Sequence, residues 1–362
     1  MKLYFLLFLL LPFAGSGYVG WHVWHLLPLS NWLRGLVVGA MLAAFLLLFV
    51  NFAMGLDNVT LPLARVLYHV GTSSIIILLY LFMLFLLLDL GRLTGLLPAS
   101  LLRNSWWGTL LVGGIMVALF VYANRHYHHK VRMPMTLQTA DGLQKPLRLM
   151  LLSDLHLGYH NTRSDLAKWV DLINDEAPDA VLIAGDIIDI SVRPLLEEDM
   201  AEELRRLTMP VYACPGNHDY YASLSKSQDF FADAGITLLR DSCVVIADGV
   251  VVVGRDDRTN LRRKSVAQLM AEVSKDSYSI LLDHQPYHLE EAEAAGVDFQ
   301  FSGHTHYGQV WPISWVEDLI YEDAYGPLQK GNTHYYVTSG FGIWGGKFRI
   351  GTQSEYVMLT LQ

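Results

Sequence analysis

LRLMLLSDLH, residues 147–156, decides the fold. A short, mostly apolar run, 147–152, ends abruptly in Ser153-Asp154-Leu155-His156. Further along, residues 180–184 run into Gly185-Asp186, and 210–213 run towards Pro215-Gly216-Asn217. The intervening segments 165–174 and 196–207 carry helical spacing. Short apolar runs alternating with helices predict βαβ units. Segments 244–253, 279–282, 299–302 and 335–339 read as further strands. The expectation is an α/β domain over 147–362, a two-layer sheet core flanked by helices. In open α/β sheets ligands gather at the carboxyl ends of strands, and each polar cluster here falls just after an apolar run.

Upstream the chain changes character. Of its residues 52% are hydrophobic and 17% charged, and nearly all the long apolar runs precede residue 126. Uncharged stretches of about 18 or more residues read as membrane spans. Four are expected within a transmembrane domain over 1–126: 3–27, 35–56, 66–88 and 106–124. Trp21, Trp24, Trp32, Trp106 and Trp107 stand near their ends, where an aromatic belt belongs. The first stretch is broken by Pro12, Gly15, Ser16 and Gly17, and is read as an uncleaved helix rather than a signal peptide. With four spans both ends lie on one side, with Lys2, Arg65, Arg125, Lys130 and Arg132 against Arg34, Arg92 and Arg103 opposite. That excess of positive charge favours a cytoplasmic catalytic domain. Residues 127–146 form a juxtamembrane linker and a first strand. The Arg-His-Tyr-His-His-Lys run at 125–130 is read as a headgroup-level helix end, not a metal site.

A net charge of -9 argues against nucleic acid as a partner. Two cysteines, Cys214 and Cys243, make neither a thiolate zinc site nor a disulfide framework, and free thiols are expected.

Five clusters carry the chemistry: Asp154-Leu155-His156; Gly185-Asp186-Ile187-Ile188-Asp189; Gly216-Asn217-His218-Asp219; Asp283-His284; and Gly303-His304-Thr305-His306. Carboxylate, amide oxygen and imidazole together suit Mn, Fe or Zn better than Mg or Ca. Residues two apart in an extended segment point the same way, so Asp154 with His156, and His304 with His306, can approach one centre. The glycines before Asp186, Asn217 and His304 permit tight turns and close backbone approach.

The clusters, in this order, resemble the calcineurin-like metallophosphoesterase superfamily, in its bacterial YkuE-like branch. The likeness spans about residues 147–340 and is reinforced by Gly-His-Thr-His-Tyr-Gly-Gln at 303–309. It implies an α+β sandwich, with two central sheets flanked by helices, and two divalent ions, Mn2+, Fe2+ or Zn2+. One ion falls to Asp154, His156, Asp186 and His306; the other to Asp186, Asn217, His284 and His304, with Asp186 bridging. His218 faces the phosphate as acid or charge stabiliser, and Asp219 orients it. Two cations about 3.5–4 Å apart lower the pKa of a bridging water, which attacks phosphorus in line.

Asp189 is read as orienting a ligand, with a turn cap as the plainer alternative. Tyr307 and Gln309 are candidate substrate contacts. Arg349 is either a bidentate phosphate holder or an exposed ion pair. Phe341, Ile343 and Trp344 are candidate acyl-chain contacts. The function expected is a membrane-anchored phosphoesterase of the bacterial cytoplasmic (inner) membrane, cleaving phosphodiester or pyrophosphate bonds of a lipid-linked or nucleotide-lipid substrate. A membrane protein phosphatase and a non-catalytic metal-binding sensor or scaffold are the alternatives.

Overall fold

The structure, a computed structural model, describes residues 3–139 and 142–362, with side chains of the first helix described from Leu11 onward. The chain divides into two compact units: residues up to Asn124 together with Gly345–Lys347, and Arg125–Trp344 with Phe348–Gln362.

The first unit is helical: α1 Leu3–Leu26, α2 Asn31–Met54, α3 Leu61–Leu93 and α4 Trp106–His128. Among the described residues three helices, α2, α3 and α4, are long and apolar enough to cross a membrane. Three of the four expected spans are found among the described residues. Pro12 lies inside α1, and the expected span 3–27 falls partly outside the described residues. Asp89, near the end of α3, is satisfied internally by Tyr18 Oη at 2.8 Å, His22 Nε2 at 3.0 Å and Arg92 at 3.3 Å.

Among the described residues the second unit holds twelve strands: β1 Lys130–Leu137, β2 Leu147–Leu152, β3 Ala180–Ala184, β4 Val211–Cys214, β5 Ile236–Leu238 and β6 Ser242–Ala247. They continue as β7 Val250–Gly254, β8 Tyr278–Leu282, β9 Phe299–Ser302, β10 Gly326–Lys330, β11 Thr333–Val337 and β12 Ser354–Leu361. Its helices are α5 Arg163–Glu176, α6 Arg193–Glu197, α7 Met200–Leu204 and α8 Asn217–Tyr221. Four more follow: α9 Leu224–Asp233, α10 Val266–Met270, α11 Leu289–Ala295 and α12 Ile313–Ile320.

Two six-stranded mixed sheets result, ordered β1-β12-β2-β3-β4-β5 and β10-β11-β9-β8-β7-β6. Strands β2 to β5 run parallel in the first, and β7, β8, β9 and β11 in the second. Alternation along the strands builds three apolar layers. Leu149, Leu151 and Leu182 meet Val252, Ile280 and Phe299 between the sheets. Met150, Val181 and Ile183 pack outward on Trp169 and Val170 of α5. Val251, Val253 and Leu281 pack on Leu269 and Leu289. Each buried side chain of this kind contributes ~1.5–3 kcal/mol.

The expected sandwich is present, with corrections in detail. Segment 244–253 is a hairpin, β6 and β7, turning at Asp248-Gly249, where Gly249 has φ 74°. Segment 196–207 breaks into two short helices at Asp199, which takes φ 50°. β5, β10 and β12 were not anticipated. Both cysteines are free thiols.

Candidate metal centre

The five clusters leave the carboxyl ends of β2, β3, β4, β8 and β9. Backbone bonds knit their loops: Asp154 N–H donates to Gly185 O (3.1 Å), His156 N–H to Asp186 O (3.0 Å) and Gly303 N–H to His284 O (2.9 Å). All three glycines that stand before candidate ligands here are required; a Cβ on Gly216 would strike Asp186. Gly185 has φ 79°, and a Cβ there would meet the His284 ring at 2.7 Å; one on Gly303 would strike Ser153 and Asp154.

The side chains do not converge by strand alternation, as expected for Asp-x-His and His-x-His. Asp154, His156, Asp186, His304 and His306 all have positive φ, 58°, 46°, 52°, 71° and 48°. Each such non-glycine residue costs of order 1–3 kcal/mol, and strain of this kind persists where function demands it. The loops curl left-handedly, and that curl aims the donors inward.

Among the described residues three donor groups form, Asp154 with His156 and His306, Asp186 with His284 and His304, and His156 with Asp189 and His218, the donor atoms of each lying within 4.8 Å of one another. His156 Nε2 stands 3.0 Å from His306 Nε2 and 3.8 Å from Asp154 Oδ1. Asp154 Oδ1 is 3.5 Å from His306 Nε2. Donors each ~2.0–2.2 Å from one ion stand about 3–4 Å apart, so this spacing is that of a coordination shell. Asp186 Oδ2 lies 3.0 Å from His284 Nε2 and 3.8 Å from His156 Nε2, between the first two groups. His284 Nδ1 donates to Ala184 O at 2.7 Å, which turns the Nε2 lone pair towards Asp186.

Asn217 supplies the decisive test of fit. Its Oδ1 is buried and has no hydrogen-bond partner, while the next residue's N–H, that of His218, donates to Asp186 Oδ1 at 2.8 Å. A buried acceptor left unpaired costs ~1–3 kcal/mol. His306 Nδ1 is likewise without a partner. Oxygen and nitrogen donors around unfilled lone pairs fit divalent cations.

The electrostatics agree. Burial pushes Asp154 up, but the His306, His156 and His284 imidazoles outweigh it and hold the carboxyl well below its usual range. Asp186 is likewise depressed, its burial overcome chiefly by His284 and His218. Burial lowers His306 to about 3; burial and the charge of His284 lower His304 to about 4, so both are neutral donors at pH 7. His156 is raised to about 10, burial being outweighed by Asp154 and Asp189. Its proton must leave when a cation binds.

Several expected roles move. Asp219 does not orient His218. It is buried, accepts the N–H groups of Asp186, Ile188 and Gly216 at 3.1, 2.9 and 2.8 Å, and is pushed up to about 7 by burial and the Asp186 charge. Asp189 faces the two imidazoles instead, with Oδ1 3.4 Å from His156 Nδ1 and 3.3 Å from His218 Nδ1. The His218 Nδ1 also bonds the Asp189 carbonyl at 3.0 Å, leaving Nε2 outward.

Arg349 is neither a phosphate holder nor an exposed ion pair. It is fully buried, and its guanidinium clamps the carbonyls of His306, Ser339 and Gly342. Phe341 and Ile343 are core residues with no exposed surface. Tyr307 is half-buried, its hydroxyl 3.4 Å from Asp318 and its ring stacked on Tyr325; Gln309 is buried.

Two residues of importance went unforeseen. Asn161 donates to the carbonyls of Leu155 and His156, and receives the Tyr127 hydroxyl at 2.7 Å. An isolated Asn five residues beyond a motif carries no signal in the sequence.

The fold and donor set define a metal-dependent hydrolase. Residues 147–308 match the family model for calcineurin-like phosphoesterases. A protein described as an uncharacterized metallophosphoesterase in Helicobacter pylori is 30% identical over 257 residues, 68% of this chain and 69% of its own. The metallophosphoesterase YkuE of Bacillus subtilis is 30% identical over 229 residues, 59% of this chain and 79% of its own. A Danio rerio transmembrane protein with a metallophosphoesterase domain is 32% identical over 234 residues, 60% of this chain and 53% of its own. The chain belongs to the calcineurin-like phosphoesterase family and is a phosphoric ester hydrolase, joined to helices apolar enough to enter a membrane.

Proposed function

We propose that the chain is a binuclear phosphoesterase that cleaves phosphodiester or pyrophosphate bonds of lipid-linked substrates at a bacterial cytoplasmic membrane. The observation that carries this reading is the Asp186 carboxylate, set between His156 and His284 beside the unpaired oxygen of Asn217. Asp154, His156, Asp186 and His306 would hold one cation, and Asp186, Asn217, His284 and His304 the other. Two cations there, Mn2+, Fe2+ or Zn2+, supply Lewis acidity, lowering the pKa of water and neutralising phosphate charge. The protein's part is positional. Asp189 fixes His218 through Nδ1, so Nε2 is free to protonate the leaving oxygen or stabilise its charge. Asp219 holds the Asp186 loop from behind. The lipid link is supported by the apolar helices, which are long and apolar enough to enter a membrane.

The test is turnover of bis(p-nitrophenyl) phosphate and of lipid-pyrophosphate panels by the purified full chain with Mn2+. His218→Ala should lower kcat ~10²–10⁴-fold while metal content stays unchanged. Equal activity in that variant removes His218 from the chemistry. Turnover of the soluble diester without any lipid-linked substrate defeats the lipid assignment alone.

A further inference from the structure

Helix α12, Ile313–Ile320, leaves most of its large apolar side chains exposed, beside one exposed carboxylate, Asp318. Its small polar residue, Ser314, is 4% exposed, while Trp315 is 61%, Leu319 87% and Ile320 55% exposed. Trp311, Ile313 and Val316 are also exposed. Six of the ten exposed large apolar side chains among the described residues beyond 125 thus fall within 311–320. The other four, Leu196, Tyr221, Val245 and Leu261, come from separate elements, as stray apolar residues ordinarily do.

We infer that α12 lies in the lipid–water interface, with Trp311, Trp315, Leu319 and Ile320 directed among the acyl chains. Three features select a bilayer as the occupant. The chain brings its own: α4, apolar enough to cross, ends at His128, and β1 begins at Lys130. The two indoles pack edge to face at 5.4 Å, and tryptophan, apolar with one polar N–H, is the side chain of membrane interfaces. Residues 310–329 contain no lysine or arginine, so attachment is hydrophobic and not an attraction to anionic headgroups or nucleic acid.

The consequence concerns the site. α12 packs on the His306–Gly308 turn, and Tyr321 at its end faces the His304 ring with centroids 6.3 Å apart. A seated helix holds the His304–His306 rim at headgroup depth, where a phosphate on a lipid lies. The inference does not depend on the catalytic reading.

The test uses the full chain in phosphatidylcholine vesicles, with Cys243→Ser removing the accessible thiol. A spin label at Leu319→Cys is compared with one at Leu261→Cys, a position 96% exposed. Collision with oxygen and with a water-soluble nickel chelate is measured by electron paramagnetic resonance. The label at 319 should be several-fold less accessible to nickel than that at 261, remain open to oxygen, and be indifferent to salt and to protein-to-lipid ratio. Equal nickel accessibility at both positions overturns the inference. So does protection from both reagents, or spin–spin broadening that grows with protein density, since a protein surface would then cover the face.

Discussion

At the residue scale, the two aspartates around His218 exchange the parts their order in the chain suggests. Asp219 follows His218 directly, yet successive residues at a helix start point in different directions, and its carboxylate turns back to cap three N–H groups. Asp189, 29 residues earlier, reaches the imidazole instead. Asp189→Asn should therefore weaken metal affinity ~10–100-fold, as loss of a carboxylate behind a ligating histidine does, and lower kcat as well. Metal titration and steady-state rates check this; unchanged affinity would leave Asp189 a turn cap only. Arg349 invites a similar contrast. A lone arginine by a glycine-rich run reads as a phosphate clamp, but burial and three carbonyl partners make it a strut. Arg349→Lys cannot span those carbonyls, and stranded buried acceptors cost ~1–3 kcal/mol each. Its melting midpoint should fall while KM for bis(p-nitrophenyl) phosphate holds; a raised KM at unchanged stability would restore the clamp.

At the element scale, what could be read in advance were the strands whose ends carry ligands. β2, β3 and β9 are short apolar runs closed by polar motifs, so sequence and chemistry mark the same boundaries. The missed strands lack such punctuation. β12 sits between β1 and β2, with four of its eight residues mildly polar or aromatic, and its pairing is long-range. The Asp248-Gly249 turn within 244–253 was a recognisable hairpin signal inside a long valine-rich run. Loop handedness was invisible: no rule of spacing places five ligand residues at positive φ. The segment after α12 yields a pH prediction. Asp323 is nearly buried, and burial with the Glu322 charge raises it to about 6 from 3.8. A carboxyl raised in the folded state favours folding below its unfolded value, and that contribution is lost as pH rises through about 6. Asp323→Asn should thus melt higher than the parent at pH 8, by no more than ~3 kcal/mol, the gap closing towards pH 4. A constant gap across that range would contradict the assignment.

At the scale of the whole molecule, composition alone separated an apolar helical segment from an acidic, motif-bearing one. The number of spans was less legible. The spans at α2, α3 and α4 are plain uncharged apolar stretches, while the first expected span, 3–27, lies partly outside the described residues. The catalytic unit joins two sheets whose carboxyl ends deliver ligands from both, so neither sheet alone holds a complete donor set: β2, β3 and β4 bring Asp154, His156, Asp186 and Asn217, while β8 and β9 bring His284, His304 and His306. The central claim is that these seven side chains hold two ions and share Asp186. Native mass spectrometry of the purified full chain, parent beside His156→Ala and His284→Ala, measures this directly. The account predicts two divalent ions on the parent and at most one on each variant, with hydrolysis of bis(p-nitrophenyl) phosphate lost in both. Full hydrolysis by a parent carrying one ion or none, or variants that keep the parent's complement, would contradict it.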